Sequence, residues 1–215
     1  MNYRGSFSKD YFEKLYSTDR DNDPWRFGSS GYERSKYETS LKVLEGHRLG
    51  AVFEVGCSIG IFTRMLASHC ESVLAADVSE IALTKARANC EKFDNVTVQQ
   101  LRIPAEWPTG RFDLIILSEI LYFLGPDDIR TTARKSLNAL TPSGRVLLVN
   151  WLGETDYPCG GDEAAELFFS ASRNRLKLIQ HHRNPKYRLD LLTLIPSKRG
   201  RTLKSRVSSR HAPSQ

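Results

Sequence analysis

The first chemical signal is a short stretch that closes an apolar run: Glu54-Val55-Gly56-Cys57-Ser58-Ile59-Gly60. Glycines spaced Gly-x-x-x-Gly at a strand tip let the backbone approach a ligand closely, because no Cβ stands in the way. A dinucleotide fingerprint needs Gly-x-Gly-x-x-Gly, and Ser58 stands where that pattern repeats its glycine. Glu54 would repel a pyrophosphate and suits a cationic ligand instead. Asp77 ends the next apolar run, 21 residues after Gly56 and 17 after Gly60. A carboxylate there can accept both hydroxyls of a ribose as charge-assisted hydrogen bonds. The plainer readings are a βα turn with no ligand and an aspartate that only caps a helix. A third acidic position, Glu119, follows the most apolar run, in Ser118-Glu119-Ile120-Leu121-Tyr122-Phe123. Its bland reading is a surface residue just past a strand end.

These residues need a scaffold, and the chain supplies one by alternation. An apolar run of buried-strand type lies at 51–56, second and third strands are read at 72–77 and 96–98, and a fourth at 112–117 is the most apolar and so expected to be central. Helical patterns fall between them, through 63–67 and from Glu80 to Cys90 with Ser79 as cap. Pro126-Asp127-Asp128 opens a helix to about Leu140, and Thr141-Pro142-Ser143-Gly144 reads as a turn into a fifth strand, Arg145 to Trp151. A Gly/Pro-rich loop, a helix from Asp162 to Ser172, and a hairpin through Asn184-Pro185-Lys186 close the pattern, with strands near 177–182 and 188–195. Alternation of this kind predicts an α/β, doubly wound, mostly parallel sheet.

Composition narrows the function classes. The 215 residues suit one domain with a full-sized core, here taken as 46–196 after an N-terminal segment 1–45. No run of about 18 apolar residues is present to span a membrane, and the N-terminus lacks the apolar stretch of a secretory signal, which predicts a cytoplasmic protein. The four cysteines have no metal-ligand or short paired spacing and read as reduced thiols. No cluster suggests a metal. The net charge of +6 is concentrated in residues 197–215, which hold six basic residues and no acid and are expected to be a disordered tail; the remaining 31 − 6 = 25 basic residues balance 25 acidic ones. A neutral body argues against nucleic acid as partner, as does the lack of an Asn-Pro-Pro-aromatic sequence after the fourth strand; the tail could still tether a polyanion. Nothing in the residues sets an oligomeric state.

The acidic-x-Gly-x-x-x-Gly loop, with Asp77 behind it, resembles the signature of S-adenosylmethionine (SAM) methyltransferases, many of which carry glycine where this chain has Ser58. The resemblance implies a Rossmann-like, doubly wound seven-stranded sheet, the late hairpin supplying the last two strands. It also implies SAM as cofactor, with Gly56, Cys57 and Gly60 near it, Glu54 beside its cationic groups, and Asp77 on the ribose. Val78, Arg102 and Ile103 would flank the adenine, and Ser118 and Glu119 would lie nearest the transferred methyl. Asp23-Pro24-Trp25-Arg26-Phe27 followed by Tyr32-Glu33-Arg34-Ser35-Lys36-Tyr37 resembles, more narrowly, the N-terminal segment of the nodulation protein S family of N-methyltransferases. That family acts on the free amine of a de-N-acetylated chito-oligosaccharide. By this resemblance Tyr32, Glu33 and Lys36 lie near the cofactor, with Lys36 on its methionyl carboxylate; an exposed helix lysine is the alternative.

Within 11–44 stand Tyr11, Phe12, Tyr16, Trp25, Phe27, Tyr32 and Tyr37, either a helical lid over the ligand or helices packed on the sheet. Trp151 to Pro158 resembles a Trp-x-x-x-x-Asp-Tyr-Pro segment of other bacterial methyltransferases, many with histidine where this chain has Asn150. The expected catalytic carboxylates are Glu119, with Asp156 or Glu154 from that loop; Trp25, Tyr122 and Trp151 are expected to contact an amine acceptor, an amino sugar or oligosaccharide. The competing functions are a small-molecule O-methyltransferase and a SAM-binding protein without turnover.

Overall fold

The computed structural model describes residues 5–195 except 48 and 173. The expected tail at 197–215 lies outside the described residues. Two helices come first, α1 (Lys9–Thr18) and α2 (Gly31–Leu44), capped by Ser8 and Ser30, whose hydroxyls accept from Tyr11 N and Glu33 N. The alternating body follows: β1 (Ala51–Val55), α3 (Ile61–Ala67), β2 (Ser72–Asp77), α4 (Glu80–Cys90), β3 (Val96–Gln100) and β4 (Phe112–Ser118). A 3₁₀ turn (Leu121–Phe123), α5 (Pro126–Ala139), β5 (Leu140–Trp151), α6 (Gly161–Ala171), β6 (Leu176–Arg183) and β7 (Tyr187–Leu194) complete it.

The seven strands form one sheet in the order β3-β2-β1-β4-β5-β7-β6. All pairs through β5 are parallel, and β7 is antiparallel to both β5 and β6. β4 is central, as its composition predicts, with Leu114, Ile115, Ile116 and Leu117 all fully buried. Strand side chains alternate, so β4 feeds two cores. Ile115 and Leu117 pack with Ile129 of α5 and Phe168 of α6; Leu114 and Ile116 pack with Tyr37 of α2 and Leu66 of α3.

One boundary differs from the sequence reading. Thr141-Pro142-Ser143-Gly144 is not a free turn but part of β5, because Leu140 already pairs with Phe112 before the register shifts to Leu114↔Arg145. The ladder captures the chain early, and the turn-forming residues become an irregularity within it. At the other edge, β6 is exposed at every residue after Leu176, including Leu178 and Ile179, and its pairing with β7 slips between Leu178 and Gln180. None of the four cysteines forms a disulfide. Among the described residues no helix is long and apolar enough to cross a membrane, and no group of three or more His, Cys, Asp or Glu side chains is placed to hold a metal.

Candidate active site

The carboxyl ends of β1, β2 and β4 open into a cavity of about 770 Å³, roofed by α1, α2 and the chain between them. Ligands of open α/β sheets bind at this edge, where the strand order reverses beside the first strand.

The glycine loop divides its labour. Gly56 has φ +75, lines the cavity, and would bring an added Cβ within 3.1 Å of Ile120. Its N–H and that of Cys57 both donate to Ala76 O, at 2.7 and 2.9 Å, which ties the tips of β1 and β2 together. Gly60 does not line the cavity. It has φ +77 and faces α4, where an added Cβ would lie 2.9 Å from Ala86 Cα, so it serves helix packing. Glu54 is buried beneath the loop and accepts a 2.6 Å hydrogen bond from Thr63 Oγ1. Burial pushes its pKa up to about 8, with Thr63 opposing and the Asp77 charge adding to the rise.

Asp77 lies on the cavity wall. Its Oδ2 accepts from Ser58 N and its Oδ1 from Ser79 N, both at 3.0 Å. Burial raises its pKa to about 6 against the pull of those amides. The cap of α4 is Ser79, not Asp77, so the plain capping role falls to its neighbour. Val78, Arg102 and Ile103 line the next stretch of wall, and Gln100 Nε2 donates to Val78 O at 3.0 Å, joining the ends of β2 and β3.

The opposite end is acidic and aromatic. Lys36 is 2% exposed, with Nζ 2.7 Å from Glu33 Oε2 and 2.8 Å from Glu119 Oε1. Burial works against this ammonium, but the charges and hydrogen bonds of Glu119 and Glu33 outweigh it, and its pKa is held above the ordinary lysine value. Two carboxylates surround one ammonium, and burial raises the Glu33 pKa against the lowering pull of Lys36. Lys36 is therefore neither an exposed helix lysine nor a free arm for a ligand carboxylate; its charge is committed to two glutamates. Glu119 has φ +61, and its Oε2 accepts from the Tyr122 hydroxyl and, at 3.2 Å, from Trp151 N. Ser118, Trp25 and Trp151 line the same cavity. Trp25 stacks on Phe27 with centroids 5.5 Å apart, and Tyr32 meets Trp151 edge-on at 6.1 Å. The Tyr32 hydroxyl is buried in the cavity without a hydrogen-bond partner among the described residues.

Two expectations from the segment after β5 need correction. Asp156 is exposed and does not line the cavity, and Glu154 is exposed as well; Thr155 and Tyr157 line it instead, because the loop turns its carboxylates to solvent. Asn150 is fully buried but also lies off the cavity, with its Cβ 3.2 Å from where a Cβ on Gly161 would stand. The sequence reading gave no role to Glu13 or to the Tyr16 hydroxyl. Both meet the site through contacts 42 to 68 residues distant in the chain, so no local pattern could reveal them.

A sheet in this order with an antiparallel seventh strand, a glycine loop after β1 and an acid closing β2 defines the Rossmann-like fold of SAM methyltransferases. Among solved structures, the N-methyltransferase NodS from Bradyrhizobium japonicum, in complex with S-adenosyl-L-homocysteine, superposes with a TM-score of 0.75 at 22% identity, over 86% of this chain and 97% of that one. A DhpI complex with SAH gives 0.70 at 18% identity, over 88% and 96%. The nodulation protein S family profile matches residues 8–184, and the chain belongs to that family. The nodulation protein S of Bradyrhizobium diazoefficiens is 36% identical over 104 residues, which is 47% of this chain and 49% of that protein. The Azorhizobium caulinodans protein is 23% identical over 163 residues, 75% and 78% of the two chains. This chain thus spans about half the length of the first of these relatives.

Proposed function

We propose that this chain is a SAM-dependent methyltransferase acting on an amine nitrogen, that of an amino sugar or de-N-acetylated oligosaccharide. The observation that carries the reading is a single cavity joining the Gly56–Asp77 wall to the Glu33–Lys36–Glu119 cluster. The residues fit such a cofactor: Gly56 lines the cavity in a left-handed conformation that suits glycine, Asp77 offers an ionisable carboxylate, and the Tyr32 hydroxyl waits for a partner. When bound, SAM supplies a methyl group on a positively charged sulfur.

The chain's own residues do the rest. Asp77 would hold the ribose hydroxyls, with Val78, Arg102 and Ile103 beside the adenine. Glu54, largely protonated in the free protein, would release its proton to answer the ligand's positive charge. The carboxylates of Glu33 and Glu119 offer acceptors to an amine at the far end, and Trp25 and Trp151 give flat apolar surfaces on which a sugar ring can rest. Glu119 is fixed by Lys36, Tyr122 and Trp151 N, so its task is to orient the amine and steady its developing charge. A sugar amine is less basic than lysine; drawn in as the ammonium, it would pass its proton to a neighbouring carboxylate or to solvent and act as the free amine. The aromatic roof excludes water, and holding donor and acceptor in line is the main source of rate.

The test is transfer of labelled methyl from SAM to chito-oligosaccharides with and without a free terminal amine. Transfer to the free-amine form alone is expected. Transfer to both forms, or to neither, overturns the amino-sugar assignment.

A further inference from the structure

Asp77 is held by two neighbours, and α1 holds both of them. Ser58 N and Ser79 N donate to the two carboxylate oxygens. The Ser58 hydroxyl in turn accepts from the Tyr16 hydroxyl at 2.6 Å, and the Ser79 hydroxyl donates to Glu13 Oε2 at 2.7 Å. Glu13 also accepts from Glu80 N at 2.9 Å and Ile81 N at 3.5 Å, a second cap on α4 supplied by another helix. Tyr16 and Glu13 stand three residues apart, on one side of α1. Tyr16 is 2% exposed, so its hydroxyl bond is shielded from water. Ser58 sits at φ +50, where glycine would be at ease. Only a side chain can meet Tyr16, which gives the departure from a glycine-rich loop a physical reason.

We propose that Tyr16 and Glu13 are positioning residues that act through Ser58 and Ser79 to fix the Asp77 carboxylate for a ribose diol, so that docking of α1 and binding of the ribose reinforce each other. The inference rests on Asp77 being the ribose carboxylate. Coupling of this kind is reciprocal: what α1 does for the ribose, the ribose does for α1.

The test is calorimetric binding of S-adenosylhomocysteine and its 2′,3′-dideoxy analogue to the full chain, Asp77→Asn, and the double variant Tyr16→Phe/Glu13→Gln. The unaltered protein is expected to prefer the ribose ligand by about tenfold or more, the worth of charge-assisted hydrogen bonds. Asp77→Asn loses that preference. The double variant loses most of it while holding the dideoxy analogue to within about threefold of the unaltered protein. If the double variant weakens both ligands equally and keeps the preference, α1 is only a cover and the positioning role falls, with Asp77 untouched. If Asp77→Asn keeps the preference, the ribose reading itself falls and takes the proposal with it. Tyr16→Phe alone repeats the measurement should the double variant unfold, since its ring keeps the edge contact with Trp25 at 5.5 Å.

Discussion

Replacing Glu54 by glutamine is expected to make the protein more stable in alkali and poorer at holding its ligand. Glu54 is buried beneath the glycine loop and its pKa rises from 4.5 to about 8. A carboxyl so raised stabilises the fold fully below its unfolded value, and that contribution is lost as pH climbs through the folded value. Between those limits the folded chain keeps a proton that the unfolded chain has released, so stability falls with pH. At about 1.4 kcal/mol for each tenfold change in proton affinity, the penalty above pH 8 is on the order of 5 kcal/mol. Glutamine keeps an acceptor for Thr63 Oγ1 but adds an amide needing partners, at a cost of about 1–3 kcal/mol. The net gain at pH 9 is then about 2–4 kcal/mol, or roughly 5–10 °C in Tm for a chain of this size. At pH 5 the gain vanishes or reverses. Thermal melts of both proteins from pH 5 to 9, with SAM titrations at pH 7.5, make the check. Affinity is expected to fall at least about tenfold, because glutamine cannot acquire the charge that answers a cation. Parallel stability curves would show that Glu54 is not the buried acid described. An unchanged affinity would remove it from the ligand's surroundings.

Asp77, with its pKa raised to about 6, gives binding a pH step: affinity for S-adenosylhomocysteine is expected to drop as pH falls below 6, since a protonated carboxyl accepts ribose hydroxyls poorly. Asp77→Asn flattens that part of the profile in the same titration. Glu119→Gln is expected to lower kcat at least about tenfold, while S-adenosylhomocysteine affinity stays within about threefold, as befits a residue at the acceptor end. Gly60→Ala forces a Cβ to 2.9 Å from Ala86 Cα at φ +77, and a thermal melt should show a loss of roughly 2–4 kcal/mol.

The parts of this molecule written in local pattern were legible. Apolar runs marked β1, β2 and β4, because parallel strands covered on both faces are mostly apolar. Ser79 marked the start of α4 by its capping chemistry. What escaped was written in distance. Lys36 looks like any lysine on a polar helix until α2 packs down and brings Glu119, 83 residues away, to its ammonium. Asp156 misled for the converse reason: the rotation of a loop segment depends on its anchors, and here Thr155 and Tyr157 reach the cavity while the Asp156 carboxylate does not. At Thr141–Gly144 turn chemistry was real, but an adjacent strand overrode it.

The slipped, exposed outer strand β6 bears on how the protein survives at high concentration. An edge strand offers unpaired backbone groups to any passing strand, and Leu178 and Ile179 add stickiness to that offer. The slip beside Leu178 breaks the regular spacing a docking strand would need, and Lys177 puts a like charge against a second copy of the same edge, whereas Arg183 is already paired with Asp162. The two defences act differently, one by shape and one by charge, so salt can weaken only the second. The shape defence is thus the one expected to persist at high salt.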